Sequence, residues 1–118
     1  EGKFDHPSLG LTGITMTLAL AEQMEIDEDT RGVLILEVAQ GGAAEKAKLN
    51  GSYQQMVAPG RVAITFGDVI TAVDGLTVDS YEELVSYIFN QTEVGQKVTL
   101  TILRDGDEKM VELILAGE

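Results

Sequence analysis

The sequence predicts an α+β fold, a partly open β-barrel or sandwich of five to six strands flanked by two to three helices. Three observations carry that expectation. GVLILEV (residues 32–38) is a near-continuous apolar run bounded by turn residues, the pattern of a strand buried on both faces. Ser80 precedes YEELVSYIFN, and Glu83 stands three residues on, the capping-box arrangement that starts a helix. KVTLTILRDGDEKMVELIL (residues 97–115) reads as two strands folded around Asp105-Gly106, a strong hairpin signal.

The other elements follow in chain order. Residues 1–7 are polar and read as a linker, and EGKFDHP looks like a cut within a longer chain, leaving 8–118 as one domain. Leu9 to Met16 reads as a first strand, although Gly10 and Gly13 interrupt it. Thr17 is a suitable N-cap for a short helix over LALAEQMEI, residues 18–26. EIDEDTRG (25–32) is a charged loop, and AAEKAKL (43–49) is a short stretch of helix formers. Residues 50–68 contain three turn signals, Asn50-Gly51, Pro59-Gly60 and Gly67-Asp68, so an inserted loop or hairpin is expected at about 50–66. DVITAVDG (68–75) is a strand closing on an Asp-Gly turn. The order is β-α-β-α-(insert)-β-α-β-β, without an internal repeat.

Composition narrows the function. The chain has 118 residues, 20 acidic against 8 basic, and a formal charge of −12. Nucleic-acid binding by counterion release needs clustered Lys and Arg, which this sequence does not have. Adhesion to anionic lipid is disfavoured for the same reason, and no apolar run approaches the ~18 residues of a membrane span. A protein or peptide, or a cation, remains as the partner. The absence of cysteine excludes disulfides, thiolate metal sites and cysteine nucleophiles.

No catalytic constellation stands out. The single histidine, His6, lies in the linker beside Pro7. Ser8, Ser52, Ser80 and Ser86 avoid any G-x-S-x-G elbow, and Ser80 is better explained as a cap. The acidic run Glu25, Asp27, Glu28, Asp29 lacks the spacing and central Gly of a calcium loop and reads as a solvated loop. GLTG (10–13) fits no phosphate-binding loop. No cofactor or metal is called for, and the chemistry that remains is recognition.

Recognition needs a surface. Tyr81, Val85 and Ile88 fall on one stripe of the capped helix. If the first strand is an edge, its free N–H and C=O groups can pair with an added peptide strand while the helix stripe holds the peptide's side chains. The turn entering that strand would expose the backbone N–H groups of Leu9, Gly10 and Leu11, a nest that captures a carboxylate. Gly10 would keep a side chain out of the anion's approach.

These residues carry a family resemblance. HPSLGLTG, RGVLILEVAQGGAAEKAKL, GDVITAVDGLTV with SYEELVSYI, and TLTILRDG together resemble a PDZ domain of the HtrA (DegP-like) trypsin-type serine proteases, in that family's circularly permuted strand order, over most of residues 6–115. The resemblance implies that Leu9, Gly10 and Leu11 form the carboxylate-binding loop. Leu11, Thr12, Gly13, Ile14, Thr15 and Met16 would be the peptide-pairing strand. Tyr81, Val85 and Ile88 would face the groove, with Leu11 and Ile14 helping to line the pocket for the last peptide residue. It further implies binding of C-termini or exposed hydrophobic segments of misfolded proteins, in the service of a protease domain on the same polypeptide, outside the cytoplasm (periplasmic or at the cell surface). Three features depart from the pattern: Ser8 where relatives often have an aromatic residue, Gly13 within the pairing strand, and the long segment 50–66. A PDZ domain from another host, such as a site-2-type metalloprotease, a carboxy-terminal processing protease or a secretion component, is the neighbouring reading. An interaction or oligomerisation domain with a closed groove is the alternative from another class.

Overall fold

The computed structural model describes residues 7–104 and 106–117. Ten strands and three helices run in the order β1 (Pro7–Ser8), β2 (Leu11–Thr15), α1 (Leu18–Met24), β3 (Val33–Val38), α2 (Ala43–Lys46), β4 (Tyr53–Ala58), β5 (Arg61–Thr65), β6 (Val69–Val73), β7 (Leu76–Thr77), α3 (Tyr81–Gln91), β8 (Lys97–Arg104), β9 (Asp107–Ile114) and β10 (Ala116–Gly117). The fold is α+β with open sheets. The main sheet has the strand order β2-β3-β6-β8-β9, with β7 paired to β6, so it contains six strands. The remaining four form two small pairs, β1 with β10 and β4 with β5. The ten strands exceed the expected five to six because β4 and β5 fall in the segment expected as an inserted loop or hairpin, and β1, β7 and β10, of two residues each, leave no periodic trace in a sequence.

The sheet is covered on both faces at the start of β3, and this explains the unbroken apolar run there. Val33 and Ile35 join Ile70, Leu100, Ile102 and Leu113 in the larger core, under Leu84 and Ile88 of α3 and Ala43 and Ala44 of α2. Leu34 points the other way, into a smaller cluster with Met16, Val69 and Ala21 of α1. Successive strand residues alternate faces, so a strand covered on both sides is apolar throughout. From Leu36 onward β3 emerges from that double cover, and Glu37 is exposed.

The caps are where the sequence places them. Thr17 accepts a hydrogen bond from the Leu20 N–H at 3.1 Å, and Ser80 Oγ accepts from the Glu83 N–H at 3.0 Å. Glu83 reaches back to the N–H of Asp79, one residue before the cap, rather than to that of Ser80. Asp68, at the start of β6, is 2% exposed. Its carboxylate accepts from Arg104 Nε at 2.9 Å, Arg104 Nη2 at 2.7 Å and the Asn50 N–H at 3.0 Å. A buried charge needs such partners. This one pins the end of β8 to the start of β6.

The linker expected at residues 1–7, His6 included, lies outside the described residues except for Pro7, which pairs with Gly117. Asp105 of the expected β8–β9 turn also lies outside them. Gly106 adopts a φ of +84°. Of the strand expected over residues 9–16, only Leu11–Thr15 is strand; Leu9 and Gly10 form a turn that separates it from the two-residue β1 before it.

Candidate functional site

The break between β1 and β2 is a tight loop held from inside. Gly10 has a φ of +73°, a left-handed conformation open chiefly to glycine. The Leu9 carbonyl accepts from the Ala44 N–H and the Gly10 carbonyl from the Ala39 N–H, both at 2.8 Å. A Cβ on Gly10 would lie 2.9 Å from the backbone nitrogen of Ala43. Glycine is therefore required by the chain's own packing against the start of α2. The Gly10 N–H donates to Ser8 Oγ at 3.1 Å. This short-range bond was legible only as a serine two residues before the amide it holds.

β2 is the outermost strand of the sheet, and among the described residues it pairs only with β3. Leu11 stands opposite Val38 and Thr15 opposite Val33. The flanking bonds, Ala39 N–H to the Gly10 carbonyl and Met16 N–H to the Gly32 carbonyl, bracket those two pairs. Both are therefore widely spaced pairs, in which the residue's own N–H and C=O point away from the neighbouring strand. Leu11 and Thr15, with Gly13 between them at the same period, present their backbone groups to the open edge.

Gly13 marks a register shift, where β3 carries one extra residue opposite β2. A Cβ on Gly13 would fall 2.6 Å from Val33 Cγ1 and 2.8 Å from the Leu34 carbonyl oxygen. The glycine thus admits the bulged β3 backbone.

Helix α3 lies across from the open edge. Thr15 Oγ1 accepts from the Tyr81 N–H at 2.9 Å, which fastens the first turn of α3 to the far end of β2. Between strand and helix runs a groove of about 500 Å³. One wall is Leu9, Gly10, Leu11 and Thr12, and the other is Tyr81, Val85, Ile88 and Phe89. Pro7 and Ser8 close one end, and Glu37, Val38 and Ala39 of β3 and its exit form the rim.

The expected site residues divide accordingly. Leu9, Gly10, Leu11, Thr12, Tyr81, Val85 and Ile88 line the groove together. Val85 is 45% exposed, whereas Ile88 is 4% exposed and belongs mainly to the core. Gly13 and Thr15 contribute backbone and a helix tie. Ile14, expected to help line the pocket, is not among the lining residues. It alternates onto the face of Met16, which is buried in the smaller core beneath α1. The sequence does not mark Pro7, Ser8, Glu37, Val38, Ala39 or Phe89 as lining residues. Phe89 follows Val85 at i+4 and was the most legible of them.

On the opposite flank of α3, the Tyr87 hydroxyl donates to Asp74 Oδ2 at 3.1 Å. Desolvation raises the Tyr87 pKa first, and the Asp74 hydrogen bond and charge raise it further. The group stays neutral throughout the physiological range.

Comparison with known proteins agrees with this geometry. Residues 10–115 match the family model described as PDZ domain. The chain is 32% identical over 97% of its length to the periplasmic pH-dependent serine endoprotease DegQ of Escherichia coli, covering 21% of that protein. It is 31% identical, again over 97%, to the periplasmic serine endoprotease DegP of the same organism, covering 20% of it. The chain therefore spans about a fifth of the length of these curated relatives. Among solved structures, the HtrA-type protease AlgW with decapeptide superposes with a TM-score of 0.71 at 20% identity, covering 97% of this chain and 30% of that one. A variant of AlgW with decapeptide gives a TM-score of 0.77 at 21% identity, covering all of this chain and 31% of that one. The chain belongs to the PDZ domain family, and its relatives within that family are domains of DegP-, DegQ- and HtrA-type serine proteases.

Proposed function

We propose that this chain is a peptide-capture module, binding free C-termini or exposed apolar segments by β-strand addition along β2. The observation that carries the reading is the open edge of β2 facing an apolar helix wall across a groove whose strand-side wall starts at the Leu9-Gly10-Leu11 turn, beside the end closed by Pro7 and Ser8. A peptide adds antiparallel to β2, its carboxylate at the turn and its last side chain between Leu11, Val85 and Ile88. Burying one aliphatic side chain contributes roughly 1.5–3 kcal/mol. The −12 domain opposes the carboxylate at long range, screened over about 8 Å at physiological salt. Affinity of micromolar order follows.

The AlgW structures that share this fold are complexes with a decapeptide or a tripeptide, which supports peptide binding here. The relatives also support the wider setting: a module that serves substrate recognition and regulation for a serine protease on the same polypeptide, outside the cytoplasm. The groove residues have no part in bond cleavage in this reading.

Isothermal titration with a peptide ending in a free-carboxylate valine, and with its amide, tests it. The acid is expected to bind and the amide to bind at least about tenfold more weakly, since charge-assisted hydrogen bonds to backbone amides are lost. Val85→Asp is the discriminating variant because Val85 is half-exposed and its replacement leaves the core intact. Ile88→Asp would test folding instead. Unchanged titration by folded Val85→Asp would sink the groove assignment.

A further inference from the structure

The groove rim contains a charge that the backbone geometry aims at one position of the bound strand. Among the lining residues Glu37 is the only charged side chain, and no Lys or Arg joins it. Glu37 stands directly opposite Thr12 in the β2–β3 register, so the two side chains share one face of the sheet. That face is the reverse of the one carrying Leu11, which packs against the larger core.

A peptide pairing with β2 continues this ladder outward. If its last residue lies beside Leu11, its penultimate residue lies beside Thr12 and shares the face of Thr12 and Glu37. Strands are spaced by about 4.8 Å, so the penultimate residue and Glu37 stand roughly 10 Å apart at Cα, across Thr12. An extended Lys or Arg side chain and the Glu37 side chain close that gap between them. Thr12 is small and exposed, and leaves the way clear. The acid is also part of a strongly anionic domain, whose field favours a cation near the groove.

We propose that Glu37 makes this groove selective for peptides with a basic residue next to the last, and discriminates against an acidic one. The inference rests on the peptide-capture reading and specifies its ligand class: an apolar C-terminal residue preceded by Lys or Arg. Glu37 sets specificity through a solvent-facing ion pair, so its effect is modest and salt-sensitive.

The test uses three otherwise identical peptides ending in free-carboxylate valine, with Lys, Ala or Glu in the penultimate position. Titrated calorimetrically at low salt, the Lys peptide is expected to bind about fivefold more tightly than the Glu peptide, and high salt is expected to shrink the ratio. Glu37→Gln should bring the ratio towards one, and Glu37→Lys should invert it. Glu108→Gln removes the same charge from β9, at the opposite edge of the sheet, and should leave the ratio as in the unaltered chain. A ratio that survives Glu37→Gln would assign the preference to the domain's overall field and overturn the role of Glu37. Binding of all three peptides without discrimination removes this inference alone. Binding of none removes the peptide reading with it.

Discussion

At Gly10 two requirements fall on the same atom. The φ of +73° disfavours any side chain, and a Cβ would also press on the backbone nitrogen of Ala43 at 2.9 Å, where no rotamer change gives relief. Left-handed strain costs on the order of 1–3 kcal/mol for a residue other than glycine, before the clash is added. Gly10→Ala is therefore expected to lower stability by at least about 2 kcal/mol in denaturant melts. In whatever folded fraction remains, displacement of the Leu9–Leu11 turn should abolish discrimination between acid and amide peptides. A midpoint equal to that of the unaltered chain would show that the turn tolerates a side chain. Gly10 was legible as a special position because a glycine in a strand demands a reason. The fold adds a reason the sequence does not show: the close approach of Gly42–Ala43, more than thirty residues away in sequence. Gly13 teaches the same lesson: the neighbour it admits is the bulged β3. Ile14, which the resemblance put at the pocket, alternates to the side of Met16 instead.

At the scale of elements, the legible parts were those with local signals. α3 announces itself through Ser80 and Glu83, and β3 through its apolar run, and both occur within a residue of the expected bounds. The Thr15–Tyr81 bond had no such signal, since it joins residues separated by 66 positions. It matters because Tyr81 is the first residue of α3, whose N–H has no partner inside the helix. Thr15 supplies that partner and at the same time sets the distance between the groove's two walls. Thr15→Val keeps the β-branched shape and removes the acceptor. The expected cost is about 1 kcal/mol of stability, with a further loss of peptide affinity as the start of α3 loosens. Differential scanning calorimetry and the titration above separate the two effects. Intact affinity in a destabilised variant would mean that core packing alone holds the wall. Tyr87 adds a second tie from α3, to Asp74. Its folded pKa is raised, so whatever stability it contributes is fully present below the ordinary tyrosine value of about 10 and is lost only as pH climbs through the raised one.

For the whole molecule, the unusual part is the β4–β5 hairpin. Every residue of β5 is exposed, as is all of β4 but Ala58, and among the described residues the two strands pair only with each other. A lone two-stranded ribbon is marginal in water, and this one shows Met56, Val57, Val62 and Ile64 to solvent. Its base, by contrast, is well fastened. Ser52 Oγ donates to the Ile35 carbonyl at 2.7 Å and accepts from the Gly67 N–H at 2.7 Å. The Asp68 N–H donates to the Asn50 carbonyl at 3.0 Å. The chain therefore enters and leaves the hairpin at adjacent points, and residues 53–65 hang outside a closed clasp. Three turn signals made a loop or hairpin legible here, but its independence of the core appears only once the partners of Ser52 and Gly67 are known. Replacing residues 53–65 with a short Gly-Ser link should leave Ser52, Gly67 and the Asp68–Arg104 pair in place. Shortening a loop changes closure entropy by only about 0.6 kcal/mol per halving, and almost no buried apolar area is lost. The excised chain is expected to have an unfolding free energy within about 1 kcal/mol of that of the full one and to bind the free-carboxylate peptide unchanged. A large loss of stability would mean that the hairpin supports the core through Phe66 and the strand that follows. Preserved stability with lost binding would place the hairpin in communication with the groove on the far side of the sheet.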